Sequence, residues 1–311
     1  MTRGRDDARL AALDCATRAL YASVRAAPKN RGLWEALEGS RAARPDLARD
    51  LRIVLVPGIL YRDFPHTGAD GAVLREIAGR LQIPLDIVPL DGTEGLEKAA
   101  ELIIGRLLAV PESSRVLLFS LSKGSAEVRH ALSRHPSHVA FRRVHAWVSV
   151  SGLPFGTPTA ETVLRRPLAR AWISAWFWFR RLRLERLREL LSHRPGASFE
   201  IPPHLQFVQI AAFPLHSQLR DRRSRRFQKR LAAFGPNDGF ALLAELAALP
   251  GSLYPIWGAD HYLRGGPELS VAMTRLIEYL SGCIESANAG PVNGAAVLQE
   301  MLDRPAAGPP G

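Results

Sequence analysis

Val116-Leu117-Leu118-Phe119-Ser120-Leu121-Ser122-Lys123-Gly124, running on into Ala126-Glu127-Val128-Arg129-His130-Ala131-Leu132, is the stretch that decides the fold. The four apolar residues at its start read as a short buried strand, and the run from 126 continues as a helix. Between them the chain must turn sharply. A serine at such a strand–turn–helix corner has a strained backbone and presents its hydroxyl at the carboxyl end of a sheet. Its neighbours must be small, because strand and helix approach closely there. Gly124 meets that need two residues after Ser122. Two residues before it, where the pattern Gly-x-Ser-x-Gly has glycine, this chain has Ser120. Ser122 is thus a candidate nucleophile, and a plain serine-rich turn is the competing reading. Residues elsewhere in the chain have to decide.

Working outward, Leu51-Arg52-Ile53-Val54-Leu55-Val56 is a β-branched run that ends in Pro57-Gly58-Ile59-Leu60, a strand followed by a backbone-exposing loop. The pattern predicts a helix over 75–81, a strand over 85–90 and a helix over 95–110. Beyond Ser122 it predicts strands over 143–150, 206–211 and 252–257. Strands alternating with helices at this spacing indicate an α/β fold with a mostly parallel sheet covered on both faces. In such sheets reactive groups gather at the carboxyl ends of the strands.

The alternation spans 51–281. Residues 1–50 read as an N-terminal helical extension packed on the outside, and 282–311 as a tail rich in Ala, Gly, Asn and Pro, disordered at its end. The segment 156–203 departs from the alternation and reads as a helical, lid-like insertion. Its centre is Ala171-Trp172-Ile173-Ser174-Ala175-Trp176-Phe177-Trp178-Phe179, followed by the arginine-rich 180–187. Trp172, Trp176 and Phe179 can share one helical face. Aromatic residues beside arginines suit a membrane interface or a lid over an apolar pocket; an ordinary insertion whose aromatics fill the core is the alternative.

The 311 residues are 47% hydrophobic and 23% charged, which fits a folded globular chain with a large core. The formal charge of +11 favours anionic partners. The densest basic run is 220–230, which reads either as a phosphate-binding surface or as a solvated helix face. No zinc-finger spacing, recognition-helix pattern or aromatic sheet motif accompanies it, so nucleic acid is an unlikely partner. Cys15 and Cys283 make no disulfide framework. The start lacks the apolar core of a signal peptide, and no run reaches the roughly 20 apolar residues of a membrane span. The expectation is a cytoplasmic protein with peripheral contact at anionic membrane surfaces, no metal and no cofactor.

An activated serine needs a base to take its proton and an acid to hold that base, so Ser122 predicts two partners downstream. Phe234-Gly235-Pro236-Asn237-Asp238-Gly239 puts a carboxylate in a turn, expected directly after a strand, and makes Asp238 the candidate acid. The last strand runs into Gly258-Ala259-Asp260-His261, which makes His261 the candidate base. Asp260 is adjacent to His261, and neighbouring side chains rarely aim at one another. Asp221 lies among arginines, and His216 precedes Asp238. His66 and His145 read as surface or core residues. Ser120-Leu121-Ser122-Lys123 also spells Ser-x-x-Lys, the signature of penicillin-recognising serine enzymes, but that motif opens a helix and has a Lys-Thr-Gly partner, which this chain lacks.

With those residues in place, the chain resembles the α/β-hydrolase family, most closely its lipase and esterase branch. The likeness covers about 50–281. It rests on Val56-Pro57-Gly58-Ile59, the Ser122 turn, Gly152-Leu153-Pro154-Phe155-Gly156-Thr157-Pro158, Pro236-Asn237-Asp238-Gly239 and Gly258-Ala259-Asp260-His261, with Ser, Asp and His in the family's order. The resemblance implies a serine hydrolase that cleaves carboxylic esters of lipid-like or apolar substrates through an acyl-enzyme. It also implies that the backbone N–H groups of Ile59 and Lys123 form the oxyanion hole. An acyltransferase or thioesterase on the same fold, or a non-catalytic membrane-associated protein on a degenerate one, are the alternatives.

Overall fold

The computed structural model describes residues 2–39, 47, 50–63, 67–91, 94–160, 165–179, 200–263 and 269–288. Its strands are β1 (Leu51–Val56), β2 (Leu85–Ile87), β3 (Arg115–Leu121), β4 (Val144–Val150), β5 (Gln206–Phe213) and β6 (Ser252–Trp257). They form one sheet in the order β2-β1-β3-β4-β5-β6, every pair parallel. The helices are α1 (Thr2–Ala26), α2 (Arg31–Glu38), α3 (Ala72–Arg80), α4 (Leu96–Ala109), α5 (Gly124–Arg134), α6 (Pro167–Phe179), α7 (Arg222–Leu231), α8 (Leu243–Ala248) and α9 (Leu269–Asn288).

The strands are apolar at nearly every position because both faces are covered. The register row Val54, Leu118, Trp147 and Phe207 faces one layer, which includes apolar residues of α4, α5 and α8. The next row, Leu55, Phe119, Val148 and Val208, faces the layer of α2, α3 and α9. A one-residue shift in register would move each row to the wrong face.

β1 leads outward to β2, and α4 carries the chain back past β1 to β3. The strand order reverses between β1 and β3, and a crevice at the carboxyl ends of two such strands is where parallel sheets bind ligands. The loop after β1 and the turn holding Ser122 open there together.

The N-terminal helices close the far edge. The Asn30 side-chain oxygen accepts from the Leu253 N–H of β6 at 2.8 Å, and Leu33, Trp34 and Leu37 of α2 are buried. An exposed edge strand is thereby given a partner. Tyr21 of α1 packs its ring against Trp257, Phe213 and Trp34.

Three local expectations change. The strand expected over 85–90 is only Leu85–Ile87, since Pro89 has no N–H to extend a ladder. The helix expected over 75–81 begins at Ala72, after Gly71 at φ 69°, where an added Cβ would lie 2.5 Å from Leu55 Cδ2. The run 220–230 forms an amphipathic helix, α7, with Ser224, Gln228 and Leu231 buried. Of the insertion, α6 buries Phe177 and exposes Leu168, Trp172, Trp178 and Phe179. The side chain of Trp176, residues 180–199 and the tail from 289 lie outside the described residues, as does His66.

Candidate active site

Ser122 sits one residue past β3 with φ 48°. A non-glycine residue there costs roughly 1–2 kcal/mol, and the surroundings hold it in place. Its N–H donates to Val150 O at 3.0 Å, and its carbonyl accepts from Ser125 N at 3.1 Å and Leu153 N at 3.0 Å. The three partners of its backbone thus come from β4, its following loop and α5. Gly124 is required by contact: a Cβ there would lie 2.8 Å from Val56 O and 2.9 Å from Pro57 O.

Ser120, where a glycine was the expected residue, is fully buried and takes part in a hydroxyl network. Its Oγ accepts from Trp147 Nε1 at 2.8 Å and lies 2.9 Å from Ser125 Oγ, which in turn lies 2.9 Å from Ser149 Oγ. Gly152 makes room above it, because a Cβ there would come within 2.0 Å of Ser149 Oγ and 2.6 Å of Ser125 Oγ.

His261 follows β6, with its ring buried. Its Nε2 is 3.1 Å from Ser122 Oγ, and its Nδ1 is 2.9 Å from Asp238 Oδ2. A carboxylate only accepts, so Nδ1 carries the proton and Nε2 is left to accept from the serine hydroxyl. Asp238 is 1% exposed, and its other oxygen accepts from Phe240 N at 2.9 Å and Ala241 N at 2.7 Å. Those amides fix the carboxylate and keep it supplied with donors. The turn that carries it is tied down by Thr157 Oγ1 and Thr159 Oγ1, which donate to Phe240 O and Gly239 O.

Ser122, His261 and Asp238 therefore come together from residues far apart in the chain. The Asp238 turn follows α7 rather than coming straight off a strand, because the basic run before it is a helix. The rivals lie elsewhere in the bonding pattern. Asp260 Oδ1 accepts from Tyr262 N, Asp221 caps α7 through Ser224 N, and His216 Nδ1 meets Gln228 Oε1. His145 is half-buried, and burial pulls its pKa down.

Among the described residues, the N–H groups of Ile59 and Lys123 donate to no backbone carbonyl. Ile59 lies between Gly58, whose N–H donates to Ala69 O at 2.8 Å, and Leu60 at φ 49°. The Lys123 side chain is fully buried and pairs with Glu127 one turn along α5. Burial pushes the Glu127 carboxyl up, opposed by the attraction of Lys123. The Lys-x-x-x-Glu spacing, which the sequence reading passed over, brings both groups to one face of the helix.

A cavity of about 300 Å³ opens on Ser122 and His261. Its walls are mainly apolar, with Ile59, Val73, Leu121, Val150, Leu263 and Met273 among them. Phe240, one residue past the Asp238 turn, stacks on His261 with centroids 4.6 Å apart. Phe240, Tyr262 and Arg223 also line the cavity; no sequence pattern pointed to the two aromatics, and Arg223 was singled out only as one of the basic run 220–230. Among the described residues no group of three or more His, Cys, Asp or Glu side chains could hold a metal ion.

The chain has the α/β-hydrolase fold. Among solved structures it is similar to a carboxyl esterase of metagenomic origin, with TM-score 0.54 and 22% identity over 78% of this chain and 80% of that one. It is also similar to the mature form of a Bacillus licheniformis lipase, with TM-score 0.51 and 17% identity over 78% and 95% of the two chains. At these identities the likeness is one of fold. No family model and no curated protein sequence matches the chain.

Proposed function

We propose that this protein is a serine hydrolase of carboxylic esters. Ser122 Oγ attacks the ester carbonyl while His261 Nε2 takes its proton. His261 then returns that proton to the departing alcohol, leaving an acyl group on Ser122. Water, activated by the same nitrogen, releases the acid and regenerates the serine. Asp238 holds His261 in the Nδ1–H tautomer and stabilises the imidazolium as it forms. The Ile59 and Lys123 amides receive the developing oxyanion, a type of contact that lowers the barrier by about 3 kcal/mol per donor.

One observation carries this reading: the hydrogen-bond chain Ser122–His261–Asp238 opens on an apolar cavity at the strand-order reversal. The esterase and lipase among its structural neighbours are consistent with it. The apolar walls favour an ester with an apolar acyl part. The exposed aromatics of α6 extend the preference to lipid-like or dispersed substrates and to contact with a membrane surface. Among the described residues no helix is long and apolar enough to cross a membrane.

A fluorophosphonate probe tests the proposal. It should label the wild-type protein and leave Ser122→Ala unlabelled; labelling retained in that variant would overturn the assignment of the nucleophile.

A further inference from the structure

Arg223, in the first turn of α7, is the one lysine or arginine that lines the cavity among the described residues. Among the described residues no aspartate or glutamate lines it. The guanidinium carbon lies 5.6 Å from the Phe227 ring centroid. Phe227 packs on Phe240 at 5.0 Å, and Phe240 on His261 at 4.6 Å. A row of rings thus connects the guanidinium to the site of the chemistry.

A charged side chain in an apolar wall is a discriminating feature, because an anion entering the cavity finds a fork of donors while a cation finds repulsion. α7 itself carries no acid, and the Oδ2 of its capping residue Asp221 already accepts from Ser224 N and Oγ. Arg222 and Arg226 flank Arg223 along the helix, so the local potential is positive as well. The cavity is at the small end of the range for ligand sites, so one apolar chain fills it.

We propose that Arg223 selects esters whose apolar acyl chain ends in a carboxylate, the monoesters of dicarboxylic acids. This rests on the hydrolase reading above. The apolar walls take the methylene chain, Ser122 meets the ester carbonyl, and Arg223 at the exposed rim binds the terminal carboxylate through two parallel N–H donors. The arginine is a specificity residue that takes no part in bond breaking.

The test compares two p-nitrophenyl esters of equal chain length, the hexanoate and the monoadipate, with the full chain. The wild type should favour the monoadipate in kcat/KM. Arg223→Gln should lower the monoadipate-to-hexanoate ratio of kcat/KM roughly five- to tenfold, as loss of a partly exposed charge-assisted pair does. Arg226→Gln lies on the same helix without lining the cavity and should keep the preference. Added salt should erode the preference in the wild type and not in Arg223→Gln. An unchanged preference in Arg223→Gln overturns the assignment, and so does an equal loss in both variants, which would point to the general field of α7. Failure of the wild type to cleave either ester overturns the hydrolase reading itself, and the specificity role with it.

Discussion

His261 Nδ1 lies 2.9 Å from Asp238 Oδ2, while the opposite oxygen of the same carboxylate is held by the Phe240 and Ala241 amides. One carboxylate thereby anchors both its own turn and the orientation of the imidazole. Asp238→Asn keeps an oxygen for the two amides but can present an N–H to His261, which favours the wrong tautomer. The expected result is a fall in kcat of about 10³–10⁴-fold with little change in melting temperature. Steady-state kinetics and a thermal melt on the same preparation check both halves.

A Cβ added at Gly124 would come closest to two backbone carbonyls, and that makes its substitution costly. Gly124→Ala forces α5 away from the Val56 and Pro57 carbonyls and should destabilise the fold by about 1–3 kcal/mol. Because the Lys123 amide moves with it, esterase activity should fall further than the loss of folded protein explains. Denaturant unfolding alongside active-site titration separates the two effects.

The Lys123–Glu127 pair is fully buried, and Lys123 directly follows Ser122 in the chain. Removing one partner strands the other charge, so Lys123→Met or Glu127→Leu alone should cost about 3–5 kcal/mol, and the two together should recover most of that loss. Double-mutant unfolding data provide the check. The Glu127 carboxyl is raised mainly by burial, so the folded state binds its proton more tightly than the unfolded chain does. Its contribution is therefore largest below the ordinary glutamate pKa and declines as pH rises through the folded value. Glu127→Gln should flatten that part of the stability profile.

Exposed tryptophans on α6 bear on substrates that are not free in solution. Trp172→Ser combined with Trp178→Ser should leave turnover of a soluble short-chain ester unchanged and reduce turnover of a dispersed long-chain ester several-fold. Equal activity of the double variant on both substrates would leave a plain esterase.

Strand positions were legible because a sheet covered on both faces writes continuous apolar runs, as in Leu51–Val56 and Val116–Phe119. The grouping of Ser122, Asp238 and His261 was legible through chain order. What the residues concealed was tertiary. The run 220–230 looked like a charged surface, yet its helix buries Gln228, which donates to Asn237 O beside the acid. Arg223 carries the same charge as its neighbours along α7, and only the packing of α7 makes it a cavity wall. Asn30 meets Leu253 across most of the chain, a contact that no local pattern encodes.

Ser120 has a consequence for how such proteins are recognised. The position two residues before such a serine is usually described by what it must lack, a side chain. Here the volume is occupied by a hydroxyl that receives an indole proton and joins two further serines, so the requirement is met by satisfied polarity instead of empty space. Pattern searches that insist on glycine there will pass over chains of this kind, whereas searches that admit serine when tryptophan and serine recur on the neighbouring strand will find them.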